Sequence, residues 1–485
     1  MAERETIFAL SSGRPPAAIA VIRMSGSRAG AALRALTGKV PAPRKAALAR
    51  IRDPQTNDII DEALALWFPA PHSETGEDTV ELQLHGGRAV IAAVLDALGR
   101  VEGLRPAEAG EFTRRAFENG KLDLTAVEGL ADLVAAETQG QRRQAFRQMK
   151  GLLGNRAEAW RRRLIAALAL VEAAIDFSDE ADVPDDVLAP ALAIARELET
   201  DIAAALADSR SGERLRDGLV VAIAGPPNAG KSTLLNRIAK REAAIVSPYA
   251  GTTRDVIEVH LDLGGWPVTL LDTAGIRDTQ DPVELEGVKR AQARAESADL
   301  VLWVVDAGNS DKSAGQSTEK PGSGPPTWLI RNKIDLLQAG YKNEPKSLLV
   351  NKNEAETNPI KPLKNMVNKW LRHSNERVLT KNELGYNISA ATGEGFDALL
   401  DQLARHAAEF LAGSESALVT RTRHRHALEE VLAALRRAQG DQVAGKEDLL
   451  AEELRIAARA LGRLTGRVDV EDILDVIFRD FCIGK

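Results

Sequence analysis

Three apolar runs in the middle of the chain are each followed by a polar or glycine-containing loop. The first, Leu219–Ala224, leads through GPPNAGKST into the helical pattern LLNRIA. The second ends in LLDTAG at residues 270–275, and the third, residues 327–330, is followed by Asn332 and Lys333. Short apolar runs bounded by turn residues predict buried strands. We therefore expect an α/β domain whose functional loops follow its strands.

Residues 1–120 show a mixed pattern. Strands are predicted at residues 17–24 and 79–84, and a helix is predicted at residues 88–98. This region is therefore expected to form a separate α/β domain.

Residues 122–215 and 417–482 predict helices, because apolar residues recur there every three or four positions. These positions are Leu164, Leu168, Val171, Ile175, Ile473, Ile477 and Phe481. Since helical sequence lies on both sides of the central α/β domain, the simplest architecture is a helical domain into which the α/β domain is inserted.

Residues 225–233 match the spacing G-x-x-x-x-G-K-[ST] of a phosphate-binding loop, or P-loop. Glycines let backbone N–H groups converge on phosphate oxygens, and the following helix presents further N–H groups at its start. Lys231 is expected to reach the β- and γ-phosphates, and Ser232 is expected to bind Mg²⁺. The order strand, loop, helix distinguishes this segment from a chance match.

Two later motifs, DTAG at residues 272–275 and N-K-x-D at residues 332–335, predict contacts with the γ-phosphate and with the nucleotide base. Asp272 suits a water-mediated Mg²⁺ contact, and the Gly275 N–H can face the γ-phosphate. The Asp335 carboxylate, in the N-K-x-D motif, can accept hydrogen bonds from guanine N1–H and the 2-amino group, which adenine does not offer. The sequence therefore favours GTP over ATP.

Two further segments complete this set. Residues 389–391, Ser-Ala-Ala, fit the loop behind the guanine ring, and residues 251–255, GTTRD, fit a switch loop with a threonine ligand for Mg²⁺. The set resembles the translation-factor-related GTPases and predicts one G domain at residues 218–408. The residues expected to contact GTP are Asn228, Ala229, Gly230, Lys231, Ser232, Thr233, Ser247, Pro248, Tyr249, Ala250, Gly251, Thr252, Thr253, Asp272, Thr273, Ala274, Gly275, Asn332, Lys333, Asp335, Ser389, Ala390 and Ala391.

Ile276 follows DTAG, where Ras-like GTPases carry a glutamine that orients the attacking water. Hydrolysis is therefore arranged differently or is lost. Two residues favour a different arrangement. The side-chain oxygen of Asn228 can bind a monovalent cation beside the phosphates, and Glu284 can orient water. Taken alone, Asn228 is equally consistent with an ordinary loop asparagine. Glu284 taken alone is equally consistent with a solvated surface glutamate.

Composition restricts the class of protein. The chain has 485 residues, 44% of them hydrophobic and 27% charged, which suggests about three globular domains. Its net charge of −7 excludes a globally basic nucleic-acid coat, so RNA contacts are expected on local arginine-rich faces. No membrane span or signal peptide is predicted. Cys482 is the single cysteine, which fits a reducing cytoplasm and excludes an internal disulfide.

Two segments interrupt the G-domain pattern. Residues 307–326 are rich in Gly, Ser and Pro, and residues 338–381 are rich in Asn and Lys. Both are interpreted as surface insertions, and RNA contact by the lysines is the alternative.

Several longer sequence segments resemble those of the MnmE (TrmE) family of tRNA uridine-5-carboxymethylaminomethyl modification GTPases. They include TIFALSSGRPPAAIAVIRMSGSRA, GEDTVELQLHGG, GEFTRRAFENGKLDL, VEAAIDF and the terminal FCIGK. The resemblance implies a tetrahydrofolate-binding-like dimerisation domain at 1–121, a helical domain at 122–217 and 409–485, and the inserted Ras-like G domain. The two insertions are longer than the family pattern.

The resemblance also implies an activity and partners. The family's enzymes are K⁺-activated GTPases that work with an FAD-dependent partner (MnmG, also called GidA) in a heterotetramer. Together they modify C5 of the wobble uridine of certain tRNAs, with 5-formyltetrahydrofolate or 5,10-methylenetetrahydrofolate as the folate. A regulatory or ribosome-assembly GTPase is the alternative from another class, and a nucleotide-binding protein that no longer hydrolyses GTP is a third.

Site residues follow from the same resemblance, position by position. Lys231, Glu284 and Cys482 are the expected catalytic residues, with Cys482 near the folate pocket. K⁺ is expected at Asn228, Ser247, Tyr249 and Thr252, and Mg²⁺ at Ser232 and Thr253. Folate contacts are expected from Arg23, Glu81, Lys121 and Lys485. On sequence alone, each of the four folate residues is only a surface charge.

Overall fold

The computed structural model describes most of the chain. The described residues are 4–176, 188–226, 228–241, 244–245, 258–272, 298–309, 325–337, 385–441, 443, 446–468, 474, 477–478, 481 and 484. They form two compact units, each built from more than one segment. The first unit contains residues 1–134, 145–206 and 422–485, and the second contains residues 135–144 and 207–421.

The first unit begins with a six-stranded sheet. Its strands are β1 (Thr6–Leu10), β2 (Ile19–Ser25), β3 (Ala47–Arg52), β4 (Ile59–Phe68), β5 (Thr79–His85) and β6 (Leu104–Pro106). They lie in the order β3-β4-β5-β2-β1-β6, and only β1 and β6 pair in parallel among these neighbours. The predicted strands at 17–24 and 79–84 are confirmed as β2 and β5.

Two helices, α1 (Ala29–Thr37) and α2 (Arg88–Gly99), pack against one face of this sheet and form a hydrophobic core with it. Alternate residues of β2 and β5 are buried, because successive side chains of a strand point to opposite faces. Their side chains pack with Leu33 and Leu36 of α1 and with Val94 and Leu98 of α2. The predicted helix at 88–98 is confirmed as α2. The opposite face of β2 and β5 is therefore left for polar residues.

The rest of the first unit is helical. Its helices are α3 (Glu111–Glu118), α4 (Leu124–Ala135), α5 (Gln139–Met149), α6 (Leu152–Asp176), α7 (Leu188–Ala207), α11 (Thr422–Ala438) and α12 (Glu447–Thr465), with α4, α5 and α7 each crossing a boundary between the units. The buried stripe of α6 is Leu153, Ala157, Trp160, Leu164, Ala167 and Val171. The predicted positions Leu168 and Ile175 are half-buried and lie beside this stripe.

The end of the chain packs on the start of the helical region. Phe478 and Phe481 form a buried cluster with Val127 of α4, and Ile477 packs against it. The predicted Ile477 and Phe481 contacts therefore lie in a core, while Ile473 is outside the described residues.

The second unit contains a seven-stranded sheet in the order β13-β12-β11-β7-β10-β9-β8. The strands are β7 (Leu219–Ala224), β8 (Ala244–Ile245), β9 (Glu258–Leu263), β10 (Trp266–Asp272), β11 (Leu300–Asp306), β12 (Thr327–Asn332) and β13 (Tyr386–Asn387). Its helices are α8 (Ser209–Asp217), α9 (Lys231–Ala239) and α10 (Phe396–Phe410). Strands β7, β10, β11, β12 and β13 run parallel, and β9 is antiparallel to β10. The three strands predicted from apolar runs are confirmed.

The second unit interrupts the first in sequence, as the inserted-domain interpretation requires. It contains the whole of the predicted segment 218–408 and extends beyond it on both sides.

No described helix is long and apolar enough to cross a membrane.

Candidate nucleotide site and a second polar site

The parallel strands of the second unit place its motifs at one edge of the sheet. The P-loop follows β7, and Asp272, Asp306 and Asn332 end β10, β11 and β12. Because the carboxyl ends of parallel strands meet at the same edge, ligands bind there in open α/β sheets. The sequence motifs therefore converge on one site.

The P-loop has the backbone geometry that phosphate binding needs. Gly230 lies at φ +93° immediately before α9, and Asn228 is exposed at φ +60°. The Lys231 ammonium donates to the carbonyl oxygens of Gly225 and Pro226, at 2.9 Å each. Ser232 and Thr233 lie exposed in the first turn of α9. The loop and the helix start thus present cationic and N–H groups together.

Close packing explains the two P-loop glycines. A Cβ on Gly225 would lie 2.1 Å from the carbonyl oxygen of Val304, and a Cβ on Gly230 would lie 2.2 Å from Asn332 Nδ2. Both contacts are far shorter than atoms tolerate, and Gly225 also lies at φ +143°. No other residue fits either position without moving the loop.

Asn332 connects the P-loop to the predicted base loop. Its Nδ2 donates to Ala229 O at 2.9 Å, and its Oδ1 accepts from the Ala390 N–H at 2.8 Å. Asn332 is 2% exposed, so both bonds are buried. The structure therefore brings together Asn332, Ala229 and Ala390, each of which is predicted from the sequence to contact GTP.

Asp335 and Lys333 follow Asn332. Asp335 Oδ1 is buried and has no hydrogen-bond partner among the described residues. Lys333 lies at φ +66° and donates to Asp306 Oδ2 at 2.8 Å. This hydrogen bond lowers the pKa of the Asp306 carboxyl below its ordinary value. An unpaired buried carboxylate oxygen is costly, so Asp335 is suited to a ligand that donates hydrogen bonds.

The base loop, residues 389–395, is a tight turn. Ser389 is fully buried, and its Oγ accepts from the Thr392 N–H at 3.0 Å. Arg237 of α9 donates to three consecutive carbonyls of this loop. Sequence reasoning missed Arg237, because a single arginine inside a helix carries no motif.

Several predicted residues lie outside the described part of the chain. They are Ser247, Pro248, Tyr249, Ala250, Gly251, Thr252, Thr253, Thr273, Ala274, Gly275, Glu284, Cys482 and Lys485.

A second polar site lies on the face of β2 and β5 opposite the core formed with α1 and α2. Arg23 and Glu81 are cross-strand partners, and Arg23 donates to Glu81 Oε1 through Nη2 at 2.8 Å and Nε at 3.1 Å. Arg23 Nη1 also contacts Glu74 Oε2 at 2.8 Å, and the Arg23 guanidinium lies 5.9 Å from the Phe112 ring centre. Two predicted folate residues therefore pair directly, with Glu74 as a partner that sequence reasoning missed.

Lys121 lies near the loop that contains Glu74, and Gly484 lies near the end of β1. A Cβ on Gly76 would lie 3.2 Å from Lys121 Cε, so Lys121 packs on the loop that contains Glu74. Ser11, next to the end of β1, donates from Oγ to the carbonyl oxygen of Gly484 at 2.8 Å. Since Ala9 of β1 pairs with Arg23, Gly484 lies beside the end of the strand that neighbours the strand of Arg23.

Comparison with known proteins identifies the family. A model of the MnmE helical domain matches residues 124–482, and a model of the GTP-binding protein TrmE N-terminus matches residues 6–121. The chain belongs to the MnmE (TrmE) family of tRNA modification GTPases. The family accounts for the α/β N-terminal domain, the helical domain and the Ras-like GTPase domain.

Relatives match over nearly the whole chain. The tRNA modification GTPase MnmE of Bradyrhizobium sp. strain ORS 278 is 56% identical over 481 residues, which is 99% of each chain. That of Rhodopseudomonas palustris strain CGA009 is 53% identical with the same coverage. A crystal structure of Era with MgGDPNP and a 16S ribosomal RNA segment is 29% identical and covers 39% of this chain and 56% of Era, with a TM-score of 0.23.

Proposed function

We propose that this protein hydrolyses GTP and that hydrolysis drives modification of the wobble uridine of certain tRNAs. The observation behind the GTP assignment is Asp335 Oδ1, three residues after Asn332, which is buried and has no hydrogen-bond partner in the described part of the chain. Guanine offers two donors to such a carboxylate, and adenine offers none. Membership of the family supports tRNA as the modified molecule.

Binding of the phosphates falls to the P-loop. Lys231 now bonds the Gly225 and Pro226 carbonyls and would exchange them for phosphate oxygens. Mg²⁺ would be held by Ser232 and Thr253, and its charge would stabilise the developing negative charge of the transition state. Ser232 lies exposed in the first turn of α9, beside the N–H groups that start the helix.

We also propose K⁺ as an activating ion. Asn228 fits a K⁺ ligand, because its amide is exposed on a left-handed P-loop residue and neutral oxygens suit weakly hydrated monovalent cations. Ser247, Tyr249 and Thr252 would supply the other ligands. Glu284 is the proposed water-orienting residue in place of the glutamine that Ile276 replaces.

The second polar site is the proposed folate site. Arg23 can pair a folate carboxylate and Glu81 can pair the pterin donors, with Lys121 and Lys485 as further charged contacts. Cys482 would lie beside this site, since Gly484 docks on Ser11. 5-formyltetrahydrofolate or 5,10-methylenetetrahydrofolate would bind, in a homodimer formed by residues 1–121.

The remaining assignments are the partner and the domains. We propose that an FAD-dependent protein of the MnmG (GidA) kind completes a cytoplasmic heterotetramer with this protein. The proposed parts are residues 1–121, the helical parts 122–217 and 409–485, and the G domain 218–408.

The experiment that tests this function is mass analysis of tRNA wobble uridines. Cells that lack the protein should contain unmodified wobble uridine. The wild-type gene should restore the modification, whereas the Asp335→Asn gene should not. Normal wobble modification in the deletion strain would refute the tRNA assignment and return the protein to the regulatory or ribosome-assembly alternative.

A further inference from the structure

Arg237 makes an unusual set of contacts with the base loop. Its Nη1 donates to Ala390 O at 3.0 Å and to Ala391 O at 2.8 Å, and its Nη2 donates to Thr392 O at 2.8 Å. One guanidinium thus caps three consecutive carbonyls. Hydrogen bonds from a charged donor are stronger than neutral ones, so this cap restrains the loop firmly.

Packing fixes the position of Arg237. Its guanidinium lies 5.7 Å from the ring centre of Phe396, the first residue of α10. A Cβ on Gly393 would lie 2.2 Å from Arg237 Nη2, and Gly393 has φ +95°. The loop therefore closes directly over the guanidinium, with no room for a side chain at Gly393.

The cap determines which way the loop presents its N–H groups. In a trans peptide the carbonyl and the following N–H point in opposite directions. Because the Ala390 carbonyl points at Arg237, the Ala391 N–H points away from it. The described hydrogen bonds use the N–H groups of Ala390, Thr392 and Gly393, but none uses that of Ala391.

Helix α9 connects this cap to the phosphate end of the site. Lys231 begins the helix and Arg237 lies six residues later, about 9 Å along the axis at the usual rise per residue. The same rigid element therefore sets the P-loop and the orientation of the base loop.

We propose that Arg237 is a positioning residue for guanine: it holds the base loop so that the Ala391 N–H is presented to the O6 acceptor of the base. This role rests on the proposed binding of guanine nucleotides. Because the Arg237 guanidinium donates to three carbonyls of the base loop, its effect on the base would pass through the loop backbone.

The test compares GDP with 6-thio-GDP, in which sulfur, a weak acceptor, replaces O6. Affinities are measured by calorimetry for the full-length wild type, Arg237→Ala, Arg237→Lys and Arg241→Ala. Arg241 is the matched control, because it lies 5.1 Å from the same Phe396 ring and pairs with Asp397, but within the described part of the chain it makes no hydrogen bond to a carbonyl of the base loop.

Arg237→Ala should lower GDP affinity by roughly tenfold, the scale of one lost hydrogen bond to a well-placed donor. Its 6-thio-GDP affinity should change much less, so the preference for GDP should shrink. Arg237→Lys should be intermediate, because an ammonium can reach fewer carbonyls than the fork of a guanidinium. Arg241→Ala should keep the wild-type preference.

Two results would overturn the inference. Unchanged GDP affinity in Arg237→Ala would remove Arg237 from base recognition. Equal weakening for GDP and 6-thio-GDP would mean that Arg237 only supports the fold. A wild type that binds ADP as well as GDP would instead refute the proposed guanine site, and this inference with it.

Discussion

Asn332 donates a hydrogen bond of 2.9 Å to the carbonyl oxygen of Ala229, a residue 103 positions earlier in the chain. The same side chain accepts from Ala390 at 2.8 Å. One buried amide therefore holds the P-loop and the base loop at a set separation before any nucleotide binds. Phosphate binding and base binding are coupled through this residue.

Replacing Asn332 should destabilise the protein even without nucleotide. Asn332→Ala leaves a buried carbonyl on Ala229 and a buried N–H on Ala390 unpaired, and each should cost about 1–3 kcal/mol. Denaturant unfolding of the nucleotide-free protein measures the loss. Asn236→Ala is the control, since Asn236 is exposed on α9. Equal stability of the two variants would show that the bridge contributes nothing.

Asp335→Asn should change base specificity. The amide cannot accept both guanine donors, but its NH₂ can donate to the O2 of xanthine. We expect weaker GTP binding and a shift of preference toward XTP, measured by titration with GTP, XTP and ATP. Asp397→Asn, at an exposed ion pair with Arg241, is the control and should leave all three affinities unchanged. Wild-type GTP affinity in Asp335→Asn would remove Asp335 from the base pocket.

The elements around the nucleotide were predictable because their signals are local. β7, β10 and β12 are short apolar runs that end at motif residues, so pattern and spacing located them. Arg237 and Asp306 were not predictable, because their roles depend on which loop folds against which strand. Glu74 was missed for the same reason: its contact with Arg23 is set by a loop that only the folded sheet brings near.

Burial on α6 shows a limit of periodicity. The spacing of its apolar residues predicted a helix correctly, but Leu168 and Ile175 lie beside the buried stripe rather than in it. Alanines at 157 and 167 are buried instead. Periodicity detects one apolar face, but it does not show which residues of that face, large or small, are fully buried.

Hydrolysis should be faster in KCl than in NaCl at equal ionic strength. Na⁺ is smaller and more tightly hydrated, so it should fit a site of neutral oxygens less well. Asn228→Ala should abolish the difference while GTP still binds, as measured by turnover and by titration in both salts. Equal wild-type rates in the two salts would exclude activation by K⁺.

The buried Glu128 should make stability depend on pH. Glu128 of α4 is 2% exposed and accepts from Arg423 at 2.7 Å and contacts His424 Nε2 at 2.6 Å, both on α11. Burial alone would raise the pKa of the Glu128 carboxyl, but the hydrogen bond and charge of His424, together with Arg423, outweigh it and hold that pKa far below its ordinary value.

The sign follows from this lowered pKa. The unfolded carboxyl takes up a proton near pH 4.3 while the folded one does not, so its contribution is complete above about pH 5 and is lost as the pH falls. Glu128→Gln should cost roughly 3–5 kcal/mol at pH 7, the usual loss when one member of a buried ion pair is removed. That difference from wild type should shrink below about pH 4, by roughly 1.4 kcal/mol per pH unit.

Urea unfolding between pH 7 and pH 3 measures both values. Glu429→Gln is the control, since the Glu429 side chain is half-exposed and pairs with Arg425 one turn away on α11. A difference between Glu128→Gln and wild type that does not vary with pH would contradict the lowered pKa.

Folate binding should depend on Arg23 and be opposed by Glu74. Removing Arg23 should cost about 1.5–3 kcal/mol of binding, the scale of a hydrogen bond to a charged group. Arg23 already contacts Glu81 and Glu74, and Glu74 is the more exposed of the two, at 54% of its side chain against 21%. A folate carboxylate would therefore displace Glu74, and Glu74→Gln should bind folate more tightly than wild type because that competitor loses its charge.

Calorimetry with 5-formyltetrahydrofolate tests both variants, with Arg50→Ala, at an exposed pair on the same sheet, as the control. GTP hydrolysis should be normal in all three, and absence of folate binding by the wild type would leave residues 1–121 as a dimerisation module alone.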